Sequence, residues 1–201
     1  MNAKSKRPYR KKKRAESEEE TRRRITEAAV ELHGTVGPAN TTVTELAEKA
    51  GVSRMTVYNH FPTDADLLAA CSSHWAGEHP YPDPEGWAVV TDPTERLELA
   101  LVELYRWFDR GRDMLANTLR DAPLVPALGE LMDDWWGGYM DRVVSVLSEG
   151  WPDDPVLRVA LRVVVDFNTW RLLSASGLEN DAAARLTTEM VAGREAERAW
   201  D

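Results

Sequence analysis

The stretch that most constrains this chain is Thr42 to Phe61, TVTELAEKAGVSRMTVYNHF. Thr42 followed by Glu45 forms a capping box that opens a helix through Leu46 and Ala47 to Ala50. Gly51 ends that helix, and Ser53 caps another from Arg54 to Phe61. Ala47 is small where two helices must cross closely, Gly51 permits the turn, and Val52, Val57 and Phe61 supply a buried side. Two short helices about a Gly-Val-Ser turn have helix-turn-helix spacing. At about 100° per residue, with Val57 facing inward, the outer face of the second helix is Met55, Thr56, Tyr58 and Asn59, with Arg54 on its first turn. A major groove admits such a helix, and Arg, Asn and a Thr methyl suit base edges.

The rest of the chain also reads as helical, because no segment alternates apolar and polar residues cleanly enough for a strand. A helix is expected over 18–33, with Ile25, Ala28, Ala29 and Leu32 on one face, followed by the turn residues Gly34, Gly37, Pro38 and Asn40. Another restarts near Pro62 and runs through Leu67, Leu68 and Cys71. Gly77 to Pro93 is rich in Pro and Gly and reads as a long connection. Five helices are expected after it, over about 94–119, 125–132, 133–147, 155–176 and 180–200. The fold class is therefore all-α. Its expected parts are a basic disordered tail (1–17), a three- to four-helix head that carries the helix-turn-helix (18–76) and a helical C-terminal domain (77–201).

Charge supports that division. The 25 Lys+Arg and 34 Asp+Glu give a net −9, which as one number argues against a nucleic-acid partner. Residues 1–61, however, hold thirteen Lys+Arg against eight Asp+Glu, a net +5, and residues 62–201 carry −14. Such asymmetry suggests that one part meets a polyanion. Eight of the positive charges lie between Lys4 and Arg14, and two readings of this run stand: a solvated tail, or an arm whose Lys11, Lys12, Lys13 and Arg14 reach phosphates or a minor groove. The longest apolar runs are three or four residues, far below the roughly 18 of a membrane span. Acidic residues from Glu16 to Glu20 occupy the place of a secretory signal's apolar core. The single cysteine, Cys71, cannot form an internal disulfide. A cytoplasmic protein is expected.

Thr21-Arg22-x-x-Ile25, Ala28-Ala29, Gly37, Thr42-Val43, Leu46-Ala47, Ala50-Gly51-Val52-Ser53, Val57-Tyr58-x-His60-Phe61-Pro62 and Leu67-Leu68 together resemble the N-terminal domain of TetR-type repressors, over about residues 18–72. The resemblance implies a homodimer whose two heads enter successive major grooves of a palindromic operator, released when a small-molecule effector binds the C-terminal domain. It places Arg54, Met55, Tyr58 and Asn59 near bases, and Thr42, Thr44, Thr56, Tyr58 and His60 near phosphates. Two positions depart from the pattern. His33 stands where the family usually has an aromatic residue, and reads as a core histidine. Asp64 replaces a lysine that commonly touches a phosphate, so that contact is expected to be lost.

In the C-terminal part, Val156, Ala160, Val163, Val164 and Phe167 line one side of a helix while Leu157, Leu161, Val165 and Leu172 line another. A helix with two apolar faces touches two partners. Ala183, Leu186, Thr187, Met190 and Val191 form a matching stripe, so a dimer interface competes with a large monomeric core. Tyr105, Trp107, Phe108, Met114, Asn117, Trp135, Trp136, Tyr139, Asp166, Asn168 and Trp170 are candidates for a pocket with apolar walls and a few polar groups, against the alternative that the aromatics pack the core. Asp166 has Arg162 at i−4, so an ion pair competes with a ligand contact. The net −14 suggests a cationic or aromatic effector, or surface solubility. Cys71, His74, Glu78 and His79 bunch together but lack the fixed spacing of a zinc motif, so no metal is expected, and no cofactor. No nucleophile elbow, phosphate-binding glycine loop or His-Glu-x-x-His is present, which argues against an enzyme. Two alternatives to a repressor remain: an activator, and a helical adaptor that binds protein.

Overall fold

The computed structural model describes residues 6–198, with side chains described from 13 to 194. Among the described residues there are helices and no strands. The chain divides into two units, Met1–Glu78 with Ala116–Leu131, and His79–Leu115 with Met132–Asp201.

In the first unit, helix α1 (Lys6–Thr35) is followed by a single 3₁₀ turn (Pro38–Asn40), α2 (Val43–Ala50), α3 (Arg54–His60) and α4 (Asp64–Glu78). The caps are those the residues dictate. Thr42 accepts from the Glu45 amide while the Glu45 carboxylate accepts from Thr42, a complete capping box. Gly51 ends α2 in the left-handed region at φ 65°, a conformation open to glycine without a side-chain penalty. Thr63 and Asp66 repeat the reciprocal arrangement at the start of α4. Ile25, Ala28 and Ala29 of α1, Leu46 and Ala47 of α2, Val57 of α3 and Cys71 of α4 close one shared core.

Within the described residues helix α1 runs from Lys6, so residues 6–17 are helical and not the disordered tail expected from sequence. Residues 13–20 are all exposed, so that stretch has no apolar stripe for a periodicity argument to detect. It is built instead from good helix formers, and Arg14 donates to Glu18 one turn later at 2.9 Å, the type of i, i+4 pair that supports a solvated helix. Lys4 lies outside the described residues.

The second difference is the return of Ala116–Leu131 to the first unit. That segment contains the end of α7 (Arg112–Asp121) and most of α8 (Pro126–Met132). Asn117 donates to the carbonyls of His33 and Gly34 at the end of α1, at 3.1 and 2.9 Å. Asp121, 1% exposed in its side chain, accepts from the Ala39 amide at 3.0 Å and from two Arg120 nitrogens. Gly37, at φ 93°, sits beneath this pair, and a Cβ there would lie 2.2 Å from Arg120 and 2.3 Å from Asp121.

The second unit holds α5 (Pro84–Ala88), α6 (Pro93–Arg110), a π-helical turn (Asp133–Gly137), α9 (Gly138–Ser148), α10 (Pro155–Val164), α11 (Phe167–Ala175) and α12 (Asn180–Arg198). Two expected long helices are broken. The 94–119 helix is interrupted at Gly111, and the 155–176 helix stops at Val164 because Asp166 caps a new one by accepting from the Asn168 amide at 2.7 Å. Pro155 and Asp154 start α10 as expected, with Asp154 accepting from the Val156 and Leu157 amides. Arg96, 4% exposed, donates to the carbonyls of Val90 and Glu149, a buried cation satisfied by backbone oxygens.

Candidate nucleic-acid interface

Helix α3 is a short helix with one buried face and one free one. Val57 is 2% exposed within the first unit's core, whereas Met55 is 67% and Tyr58 53% exposed. Arg54 and Asn59 are also exposed, and Thr56 and His60 are half-buried at the edges. The helical phase expected from sequence is therefore the one observed. Ser53 fixes the start of the helix by accepting from the Thr56 amide at 3.1 Å, with the two hydroxyls 2.9 Å apart. Thr42 and Thr44, at the start of α2, are both exposed, as phosphate contacts require. The Thr42 hydroxyl and amide both bond the Glu45 carboxylate, which lowers that carboxyl's pKa.

Arg22 is the residue that sequence reasoning missed as a positioning group. Its guanidinium donates to the His60 carbonyl at 2.7 Å and lies 4.2 Å from the centre of the Phe61 ring. It thereby bonds a carbonyl in the last turn of α3, where cations are favoured, and ties that end to α1. The signal was in the sequence as the arginine of Thr21-Arg22-x-x-Ile25, but that motif does not say what Arg22 holds, and its neighbour Arg23 pairs with Glu20 and Glu27 on the surface.

Of the basic run, Lys11, Lys12, Lys13 and Arg14 all belong to α1, with the side chains of Lys11 and Lys12 outside those described; Arg14 is exposed. Asp64 opens α4 and is exposed. His33 is a core residue, 6% exposed, with its pKa pushed down to about 4 by burial, against a smaller opposing influence of Asp121. Cys71 is buried, its thiol pushed up to about 12 by desolvation. Among the described residues no three His, Cys, Asp or Glu side chains gather as metal ligands.

The pocket candidates separate into different places. Trp107, Phe108, Tyr105 and Trp170 are at most 1% exposed and pack the interior of the second unit. Tyr105 donates to the Val164 carbonyl at 2.7 Å, and burial pushes its phenol up to about 12. Trp170 donates to Asn180 at 2.9 Å with the Arg112 guanidinium 4.7 Å from its ring centre. Tyr139 joins Tyr81 and Trp136 in an aromatic cluster, with ring centres 4.9 and 6.0 Å away. Trp135 faces solvent at 58% exposure, and it is Trp136 that stacks on Trp107, at 5.7 Å and 19°. The π-helical turn that carries both residues shifts the helical phase, which a uniform 3.6-residue period does not anticipate. Met114 is half-buried, and Asn117 belongs to the first unit. Asp166 is a helix cap on the rim of a recess of about 180 Å³ shared with Trp136, Met140 and Arg162. Its expected partner Arg162 instead donates to Asp141 at 2.6 Å. Asn168, on the first turn of α11, is exposed.

Known proteins carry the same head. The family model described as bacterial regulatory proteins, tetR family, matches residues 25–71. The HTH-type transcriptional regulator SrpR of Pseudomonas putida is 42% identical over 59 residues, spanning 29% of this chain and 28% of SrpR. The HTH-type transcriptional repressor KstR of Rhodococcus jostii (strain RHA1) is 28% identical over 184 residues, 88% of this chain and 85% of KstR. Among solved structures, the TetR family transcriptional regulator PfmR from Thermus thermophilus has a TM-score of 0.61 at 22% identity, over 83% of this chain and 96% of that one. The transcriptional regulator FadR from Bacillus subtilis, in complex with stearoyl-CoA, has a TM-score of 0.63 at 19% identity, over 84% and 96%. At these identities the two structures establish the shared all-helical fold, and the matched sequence covers the capped α2–α3 pair described above. Residues 25–71 of the chain match the tetR family of bacterial regulatory proteins, and the repressor KstR is similar to the chain along most of its length.

Proposed function

We propose that this protein is a transcriptional repressor that binds a two-fold-symmetric DNA operator as a homodimer and leaves it when a small molecule binds the second unit. The observation that carries the reading is α3 itself: Val57 anchors one side while Arg54, Met55, Tyr58 and Asn59 stand free on the other. Such a face suits major-groove base edges, and Thr42, Thr44, Thr56 and His60 stand where phosphates flank the groove. KstR, a repressor by name, supports repression over activation.

Dimerisation is supported by apolar side chains left uncovered on the second unit. Val156, Val159 and Val163 of α10 are 52 to 62% exposed, and Met190 of α12 is 64% exposed. One short helix reads few base pairs, so a dimer spanning two half-sites supplies the missing specificity. The effector is read as an aromatic or cationic molecule, admitted where Trp136 and Tyr139 pack about the π-helical turn. The protein acts on DNA in the cytoplasm, and no described helix is long and apolar enough to cross a membrane.

The test is selection of bound duplexes from a random pool, followed by Tyr58→Ala and Asn59→Ala. Each substitution is expected to weaken operator binding by about 1–3 kcal/mol while the dimer persists. Retained operator affinity would overturn the assignment of α3. A chain that selects no sequence but captures a protein would be an adaptor.

A further inference from the structure

We propose that the cleft between residues 14–22 of α1 and helix α3 clasps one sugar–phosphate strand of the DNA beside the groove that α3 reads, and that Arg14 reaches this strand by exchanging Glu18 for a phosphate. The proposal rests on the reading of α3 as the DNA-reading helix. The cleft has a volume of about 660 Å³; Arg14, Ala15, Glu18, Glu19 and Arg22 line it from α1, and Thr56, Asn59 and His60 line it from α3. The α1 wall thus carries two cations beside two carboxylates, and the α3 wall carries hydroxyl, amide and imidazole groups; the arginines and the α3 groups suit phosphate oxygens, and the carboxylates oppose them. Arg22 fixes the spacing of the walls through its bond to the His60 carbonyl and its place over Phe61.

The α1 wall is a helix and not a loose tail. At about 1.5 Å per residue, Lys6 to Glu18 spans about 18 Å, and residues 6–14 contain seven Lys and Arg and no acid. Within the cleft, Arg14 and Glu18 are mutually paired at 2.9 Å, yet their side chains are 82% and 58% exposed. An ion pair so exposed is weak and readily exchanged, whereas a phosphate contact also releases condensed counterions. Glu18 therefore competes with DNA for Arg14, and its carboxylate also repels the strand. It restrains binding to any sequence, because phosphates carry no sequence information.

The experiment uses the full chain with its selected operator and with a scrambled duplex, over a range of salt concentrations. Arg14→Gln is expected to weaken binding to both duplexes and to reduce the slope of log K against log salt by about 0.9. Glu18→Gln is expected to tighten binding to both by about fivefold, the equivalent of about 1 kcal/mol for one close charge in water. Tyr58→Ala is expected to lose the operator's advantage while retaining the responses to Arg14→Gln and Glu18→Gln. Both substitutions lie on an exposed helix face, and unchanged helix content by circular dichroism separates a charge effect from unfolding. Unaltered affinity and slope in both variants, with operator binding still lost in Tyr58→Ala, overturn the clasp and leave the recognition helix standing. A wild-type chain that binds neither duplex overturns both readings.

Discussion

Replacing His33 by Phe should flatten the pH dependence of stability. His33 is 6% exposed near the end of α1, and burial lowers its pKa to about 4, from the 6.5 of an exposed imidazole. The charged groups closest to this argument are Asp121, which opposes the shift, and Arg120, which is paired to Asp121. Between pH 6.5 and pH 4 the unfolded chain binds a proton that the folded chain excludes, so stability falls as the pH falls. The difference between the two pKa values corresponds to about 3 kcal/mol in full, and linkage over the interval from pH 7 to pH 5 gives about 2 kcal/mol. Urea unfolding at those two pH values, at constant ionic strength, measures it. The wild type should lose about 2 kcal/mol more than His33→Phe over the interval, because every other titrating group is common to both chains. Any penalty from fitting the larger ring offsets the variant equally at both pH values and leaves the difference in slope intact. Parallel pH profiles for the two chains would refute the burial argument.

Gly37→Ala should destabilise the first unit by more than 1 kcal/mol in thermal unfolding, because its Cβ meets Arg120 and Asp121 at a positive φ. Thr42→Ala removes the α2 capping box and should cost about 0.5–2 kcal/mol, seen as a lower denaturation midpoint with an unchanged m-value. Val159→Asp places a charge on a side chain that is 62% exposed in the single chain. It should leave monomer stability within about 0.5 kcal/mol yet yield a monomer in sedimentation, and a persistent dimer would exclude α10 from the interface.

Much of the helix-turn-helix head was legible because its signals are local. Thr42 with Glu45, Gly51, and Ser53 set boundaries within a few residues of themselves, and the phase of α3 follows once Val57 is taken inward. The extent of α1 was not legible from apolar periodicity, since residues 13–20 contact no core and are held by helix propensity and the Arg14–Glu18 pair. Asp166 misled in the opposite sense. Apolar periodicity runs straight through residues 155–176, and the cap that divides them was read as a ligand or ion-pair group.

By itself, the sequence determined the all-helical class, the helix-turn-helix and its outward residues, and the concentration of positive charge at the start of the chain. These depend on spacing, caps and composition within short windows. Only the tertiary structure decided that Ala116–Leu131 joins the first unit, that Trp136 and not Trp135 enters the aromatic cluster, and that Arg22 braces the end of α3. Each is a choice among chemically similar neighbours. The deciding interaction comes from a residue distant in the chain, or from a π-helical turn that shifts the phase of everything after it.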